Sequence, residues 1–359
     1  MVRAAAYLLS SNVSLALLKM TRNILLARLF SVEEFGLIST FAVIFALFDM
    51  LGYLGLDRLL VQARDGEAPR VQATLHSIQV LRGLLLGALL FVSAGPLATL
   101  MGAPELTWAY RVLAVVPVLQ GFLHLDMARL QREMKFGAQI KIELISEAIT
   151  ICLIYPLFLI FGDYRAALVY FVAQFVMRLL LSHLVAHRRY ELGFDLSVAL
   201  RAFHFGWPLL LNTVLLFGIF QGDRVILANR LGMTELGLFS VAFMLTLMAG
   251  NILAQTQQRL FLPKLAPLQD DPAGFAALAR IPLQSGLVIG LAVAVGFSIF
   301  GPDLLLVLFG AKFSGALTIL IWLALAQAVR IAKSGVSVVA LASGQTRISL
   351  LANIPRVVL

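Results

Sequence analysis

The residues able to do chemistry in this chain are basic side chains set inside apolar stretches. Lys19 and Arg22 stand one helical turn apart in the first apolar run and so share a helix face. Asp223 and Arg224 occupy the matching place in a run 201 residues later. Ionisable groups at such depth are costly in lipid, so each needs a partner or a task. Arginine grips phosphate oxygens bidentately and lysine acts as a point charge. Lys19, Arg22 and Arg224 therefore suit an anionic substrate such as a phosphate or pyrophosphate. The competing reading is ion pairing between helices, with Asp49 or Asp223 as the acid.

Arg58 and Arg259 make a second pair of equivalent positions, at the ends of the second and eighth apolar runs. They can receive a phosphate headgroup at a cytoplasmic mouth, or act as ordinary topology anchors. Asp49, Asp57 and Asp223 are candidates for ion coupling, or for salt bridges to neighbouring arginines. His124, close to Asp126, can handle protons or hydrogen-bond between helices. Arg28, Arg129, Lys141 and Glu143 lie near the ends of runs and are expected to snorkel to the interface, as are Arg330 and Lys333.

Motifs of enzymes are missing from the sequence. It has no phosphate-binding glycine-rich lysine loop, no H-E-x-x-H and no G-x-S-x-G. The single Cys152 excludes a disulfide framework and a cysteine-based metal site. No cofactor or metal is expected. Asp270-Asp271-Pro272 reads as a turn rather than a paired-acid centre.

The elements that must position these residues are membrane helices. The chain is 60% hydrophobic and 13% charged, with mean hydropathy +0.94. A soluble domain carries about a quarter charged residues. Runs of about 20 apolar residues span the hydrocarbon core as helices, and sustained period-2 alternation, the mark of a barrel, is lacking. Ten spans are expected near 6–29, 36–60, 75–100, 107–129, 140–161, 166–187, 205–229, 237–262, 282–302 and 314–342. An eleventh begins near Ile348, and a short apolar piece at 304–309 is expected at the interface. With the N-terminus inside, the cytoplasmic loops hold Arg64, Arg70, Arg132, Lys135, Arg188, Arg189, Arg201, Lys264, Arg280 and Arg347. The opposite loops hold Arg165, Arg230 and Lys312. Ten against three favours that orientation, and it explains the net charge of +9 without nucleic acid.

Leu8–Ser39 recurs without a gap as Leu209–Ser240, with ten of 32 positions identical. Glu34/Glu235, Gly36/Gly237 and Ser39/Ser240 are among them. The same offset carries Arg129 onto Arg330. An even number of spans per repeat makes this a parallel duplication. The expected organisation is a six-helix bundle over 1–201 and a second bundle over 202–359. The second stops in its fifth helix, which leaves a truncated, inactive copy as one reading.

The segments "ILLARLFSVEEFGLIS" and "DRVILANRLGMTELGLFS" resemble the repeated first-to-second helix signature of polysaccharide-type, Wzx-like flippases. "DMLGYLGLDRLLVQ" and "RAFHFGWPLLLNTV" are similar to the family's second-helix ending and the start of its seventh helix. These flippases belong to the multidrug/oligosaccharidyl-lipid/polysaccharide (MOP) superfamily. The resemblance implies an all-α polytopic protein of the bacterial inner membrane, with two helix bundles around a V-shaped cationic cavity. It implies translocation of an undecaprenyl-pyrophosphate-linked oligosaccharide for lipopolysaccharide or exopolysaccharide synthesis by alternating access, with polysaccharide assembly proteins as partners. By position, the family's cavity cations fall on Lys19, Arg22, Arg58, Arg224 and Arg259. A cation-coupled multidrug exporter of the same superfamily is the alternative; it calls for an acidic cavity. A membrane-embedded polymerase or ligase calls for a large external loop, and none is present in the sequence.

Overall fold

The computed structural model describes residues 2–268 and 271–343; the side chains of residues 2–10 and of Arg259 are not among the described ones. The expected eleventh span near Ile348 and Asp270 lie outside the described residues.

The described residues are helical and polytopic. In chain order the helices are α1 (Val2–Leu29), α2 (Val32–Leu51), α3 (Leu56–Gln62), α4 (Pro69–Leu100), α5 (Thr107–Leu113), α6 (Val115–Gly121) and α7 (Asp126–Arg132). They continue with α8 (Gly137–Phe161), α9 (Arg165–Val185), α10 (Leu196–Leu231), α11 (Met233–Leu265), α12 (Pro272–Phe309) and α13 (Ala316–Ala342). Among the described residues, eight helices are long and apolar enough to cross a membrane, and nine if the bent α5–α7 segment counts as one span. The remaining expected span is α1. It is 28 residues long but is not among those eight. Leucines and valines such as Val92, Leu184 and Val288 are exposed, as lipid-facing positions must be.

Three expectations about the spans need correction. The second expected span, 36–60, is broken: α2 stops at Leu51, and Gly55 at φ +58° starts the separate α3. Only glycine takes that left-handed backbone without strain, so Asp57 and Arg58 sit on α3. The fourth expected span, 107–129, is also broken, with a 45° bend before α7. The apolar piece at 304–309 is not a separate interfacial segment, because α12 runs unbroken through it to Phe309.

The repeat signature has a structural explanation in its first copy. Ser31 caps α2 by accepting from the Glu34 amide at 3.2 Å, and the Glu34 carboxylate accepts from the Ser31 amide at 2.9 Å. This reciprocal capping box satisfies two otherwise orphaned donors. A Cβ on Gly36 would lie 1.9 Å from the Met233 carbonyl oxygen, so only glycine fits there. The Ser39 hydroxyl, buried, returns to the Phe35 carbonyl at 2.8 Å. In the second copy Gly232 stands where Ser31 stands in the first, and the serine of the box is lost.

The chain divides into two compact units, residues 1–233 and 234–359. The sequence repeat divides at 201/202, so the packing boundary falls one helix later. In the first unit α10 packs on α2, α3 and α4. The Thr213 hydroxyl of α10 donates to the Met50 carbonyl at 3.0 Å. Gly206 of α10 leaves no room for a Cβ beside Leu54. In the second unit α12 packs along α13, and Leu265, Ala279, Val338 and Ala342 form a core where α11, α12 and α13 meet.

Candidate functional site

Two clusters of charged side chains stand out in the first unit. The first is the seam of α1, α8 and α9. Arg22 of α1 donates to the Glu147 carboxylate of α8 at 2.9 Å. Gln174 of α9 donates to the other oxygen of the same carboxylate. Glu147 is 2% exposed, so this carboxylate is closed off on all sides. Buried Tyr170 and Thr150 complete the surroundings. A buried carboxylate survives only when paired and hydrogen-bonded, and Arg22 with Gln174 meets that need.

One turn from Gln174 along α9 lies Arg178, and one turn from Arg22 along α1 lies Lys19. The charges that Lys19 faces are Arg178, Arg22, Glu147 and Glu143. Among the described residues neither Lys19 nor Arg178 has an ion pair. Arg178 lies over the Phe175 ring at 5.9 Å. Glu143 accepts from Gln139 at 3.0 Å, and Glu147 is committed to Arg22. Lys19 is exposed and Arg178 half-buried. Lys19 and Arg178 are thus like charges on neighbouring helices without an ion pair of their own, with Glu147 taken by Arg22 and the charge of Glu143 also within reach of Lys19. Like charges repel, and in a low-dielectric setting they repel strongly.

The second place is the end of the unit that carries the α9–α10 linker. Arg129 of α7 donates to Asp126 at 2.6 Å and also meets Glu133 at 3.2 Å and Glu67 at 3.5 Å. Arg132 and Arg188 share Glu67, at 3.4 and 3.2 Å. Asp126 is fully buried and accepts, besides Arg129, the His187 amide at 2.7 Å. The expectation that Arg129 snorkels is therefore wrong: it is 7% exposed and locked into this network. The break before α7 is held by Gln79 of α4, whose amide donates to the carbonyls of Gln120, Gly121 and Leu123. Irregular backbone at membrane depth is tolerated where protein groups satisfy it in this way. Outside the spans, the Ser197 hydroxyl and then the Val198 amide hold the Asp195 carboxyl below the usual range, and Asp195 caps α10 through them. Arg201 does the same for Asp65 by direct hydrogen bonding.

The other expected site residues fall elsewhere. Asp49 does not pair with Arg22; it accepts from Gln120 at 3.0 Å. Arg58 does not pair with Asp49 or Asp57; it lies over the Tyr53 ring at 5.3 Å and is exposed. Asp57 is exposed and has no ion pair among the described residues. Asp223 accepts from the neighbouring Arg224 amide at 2.8 Å, and Arg224 reaches Gln221 of its own helix at 3.4 Å. Arg224 is not among the charges that Lys19 faces. Arg259 lies on α11 in the other unit, its side chain outside the described residues. Arg330 bonds Asn251 across α13 and α11 rather than snorkelling.

Sequence reasoning missed the partners. Glu147 and Arg178 were visible as ionisable residues in spans, but nothing in their spacing says which helix faces which. Arg82, in the middle of α4, was also missed. It donates to the Gly52 carbonyl at 2.6 Å, where α2 ends, and senses Asp49 and Asp57. Among the described residues no group of three His, Cys, Asp or Glu is arranged to hold a metal ion.

Comparisons with known proteins bear on this geometry. The family model described as polysaccharide biosynthesis protein matches residues 25–318. The succinoglycan biosynthesis transport protein ExoT of Rhizobium meliloti (strain 1021) is 28% identical over 313 residues, covering 85% of this chain and 62% of that protein. An uncharacterized membrane protein in the cps region of Klebsiella pneumoniae is 21% identical over 352 residues, covering 97% and 72%. Among solved structures, an inward-facing multidrug resistance MATE family transporter of the MOP superfamily superposes with TM-score 0.72 at 18% identity, covering 96% of this chain and 84% of that one. The Vibrio cholerae MATE transporter VcmN superposes with TM-score 0.54 at 16% identity, covering 95% and 86%. The chain therefore has a MATE-like fold, and it spans about 62% of the succinoglycan relative's length.

Proposed function

The chain belongs to the polysaccharide biosynthesis protein family, and on that premise we propose that it is a flippase for a lipid-linked oligosaccharide. The substrate is anionic at its polyprenyl pyrophosphate, and the oligosaccharide serves lipopolysaccharide or exopolysaccharide synthesis. The protein works in the bacterial inner membrane by alternating access, with its N-terminus in the cytoplasm and polysaccharide assembly proteins as partners. The transport role printed for the succinoglycan relative supports this reading.

The observation that carries it is that Lys19 and Arg178 lie within electrostatic reach of one another and neither has an ion pair among the described residues. A cationic drug is repelled there, whereas a phosphate is held by two point charges and an arginine fork. The multidrug exporter reading needs the opposite charge. Arg22 has a different task from the one its spacing suggested: it neutralises Glu147 and holds α1 to α8 and α9 next to the anion seat. Arg224, Arg58 and Arg259 stay as further candidates along the substrate's path, and Asp49, Asp57 and Asp223 as candidates for ion coupling.

The test is reconstitution in vesicles with a fluorescent polyprenyl-pyrophosphate glycan, following its movement between leaflets. Transport by the wild-type chain and its loss in Lys19→Ala/Arg178→Ala support the assignment. Undiminished transport in that double variant, or movement of a cationic dye in place of the glycolipid, overturns it.

A further inference from the structure

Three of the chain's five histidines meet at one point. His76 of α4, His124 in the break before α7 and His183 of α9 gather around Tyr190 of the α9–α10 linker. His76 stacks on Tyr190 at 4.3 Å between centroids, and His124 lies 5.0 Å from His76 and 5.4 Å from His183. The partners of the ring nitrogens fix the tautomers. The Leu125 amide donates to His76 Nε2 at 3.1 Å, so His76 Nδ1 carries the proton and donates to the Glu191 carbonyl at 3.1 Å. The Asp126 amide donates to His124 Nδ1 at 3.0 Å, so His124 Nε2 carries the proton and donates to the Arg188 carbonyl at 3.0 Å. Two neutral rings, in opposite tautomers, therefore each join the broken fourth span to the linker. His183 Nε2 donates to the Phe122 carbonyl at 2.9 Å, and Gly193 donates to Ser77 and to the Ala73 carbonyl.

We propose that this is an acid-released clasp: the linker stays fixed on α4 and the α7 break while His76 and His124 are neutral, and comes free when either takes up a proton. A protonated imidazole is a donor at both nitrogens. Each ring would then point an N–H at a backbone N–H, losing one bond and creating a repulsion. The second and third rings, about 5 Å away, bring further like charge as they protonate. Little nearby charge opposes this. His76 faces His124, His183 and Asp126, and Glu191 and Arg189 line the cavity beside it; His124 faces Asp126, His183 and Arg129 and bonds the Arg188 carbonyl. Asp126, the acid that reaches both rings, is already committed to Arg129 and the His187 amide. A cavity of about 240 Å³ lies beside the clasp, lined by Gln72, His76, Arg188 and Arg189 among others, and gives the freed linker and water somewhere to go. A free histidine titrates near 6.5, and a ring whose protonation breaks the clasp's bonds takes the proton only below that value, so release belongs to acid below about pH 6.5. The inference does not depend on what the protein transports.

The test uses the full chain with Cys152→Ser and one of two spin labels, at Leu192→Cys in the linker or at Val176→Cys on α9, followed by electron paramagnetic resonance from pH 8 to about pH 4. The expected result is a linker label that is immobile at pH 8 and becomes mobile in a transition centred below about pH 6.5, while the α9 label stays unchanged. His76→Gln and His124→Gln keep a donor and an acceptor but do not titrate, and the double variant should abolish the transition. A linker label with the same mobility throughout overturns the proposal. So does a transition that persists in the double variant, which would assign release to Asp126 or Glu67. Simultaneous mobilisation of both labels in the wild type signifies global unfolding and also overturns it.

Discussion

The two charged regions of the first unit use similar residues to opposite ends. At the linker end, Arg129, Arg132 and Arg188 converge on Glu67, and Asp126 is matched by Arg129 and a backbone amide. These charges have protein partners, and the network holds an irregular piece of backbone in place. In the α1–α8–α9 seam the Arg22–Glu147 pair is equally closed, but Lys19 and Arg178 beside it are left facing each other. A closed network stabilises a fold. A pair of like charges in a seam destabilises it unless something arrives to balance them. On the proposed function, the difference separates residues that hold the protein together from residues that receive a ligand, a distinction that counting charges in spans does not make.

Breaking the closed network should have the largest effect. Asp126→Ala leaves Arg129 without its closest acid and is expected to lower stability by about 3–5 kcal/mol, measured by thermal or denaturant unfolding of the purified protein. Glu147→Ala strands Arg22 and should cost about 3 kcal/mol in the same assay. The open pair should behave in reverse. Lys19→Ala or Arg178→Ala removes a repulsion, so the unfolding midpoint should hold or rise, while glycolipid transport falls about tenfold to a hundredfold for the loss of one charge-assisted contact. A loss of stability in these two variants would erase the contrast between the regions. The smallest effect belongs to the linker end outside the spans. Asp195 has its carboxyl held low by Ser197 and Val198, so its contribution is fully present above the ordinary aspartate value of about 3.9 and fades as pH falls through the lower folded value. The unfolding midpoint of wild type should exceed that of Asp195→Ala at pH 6, and the gap should close toward pH 3.

Much of the architecture was legible from local pattern. Apolar runs marked the helices, and the Ser31–Glu34 spacing marked the start of α2. The two broken spans were not legible by hydropathy, because Gly52–Gly55 and Phe122–Leu125 are about as apolar as their flanks. Their carbonyls and amides are satisfied by distant groups: Arg82 and Thr213 for the first, Gln79 and His76 for the second. Sequence spacing on one helix put Lys19 and Arg22 on a shared face, but it carried no information about which neighbour that face meets.

By itself the sequence determined that this is a polytopic helical membrane protein with an internal repeat and an excess of buried-run cations. Those properties follow from composition and periodicity, which act within a single segment. The tertiary structure alone decided that Arg22 is spent on Glu147, that Arg178 rather than Arg22 stands with Lys19, and that three histidines meet at the linker. The Arg22–Glu147 pair alone joins residues 125 positions apart. They are set by how helices pack against one another, and the energy of a charge in a membrane depends on what lies within a few ångströms of it, not on its neighbours along the chain.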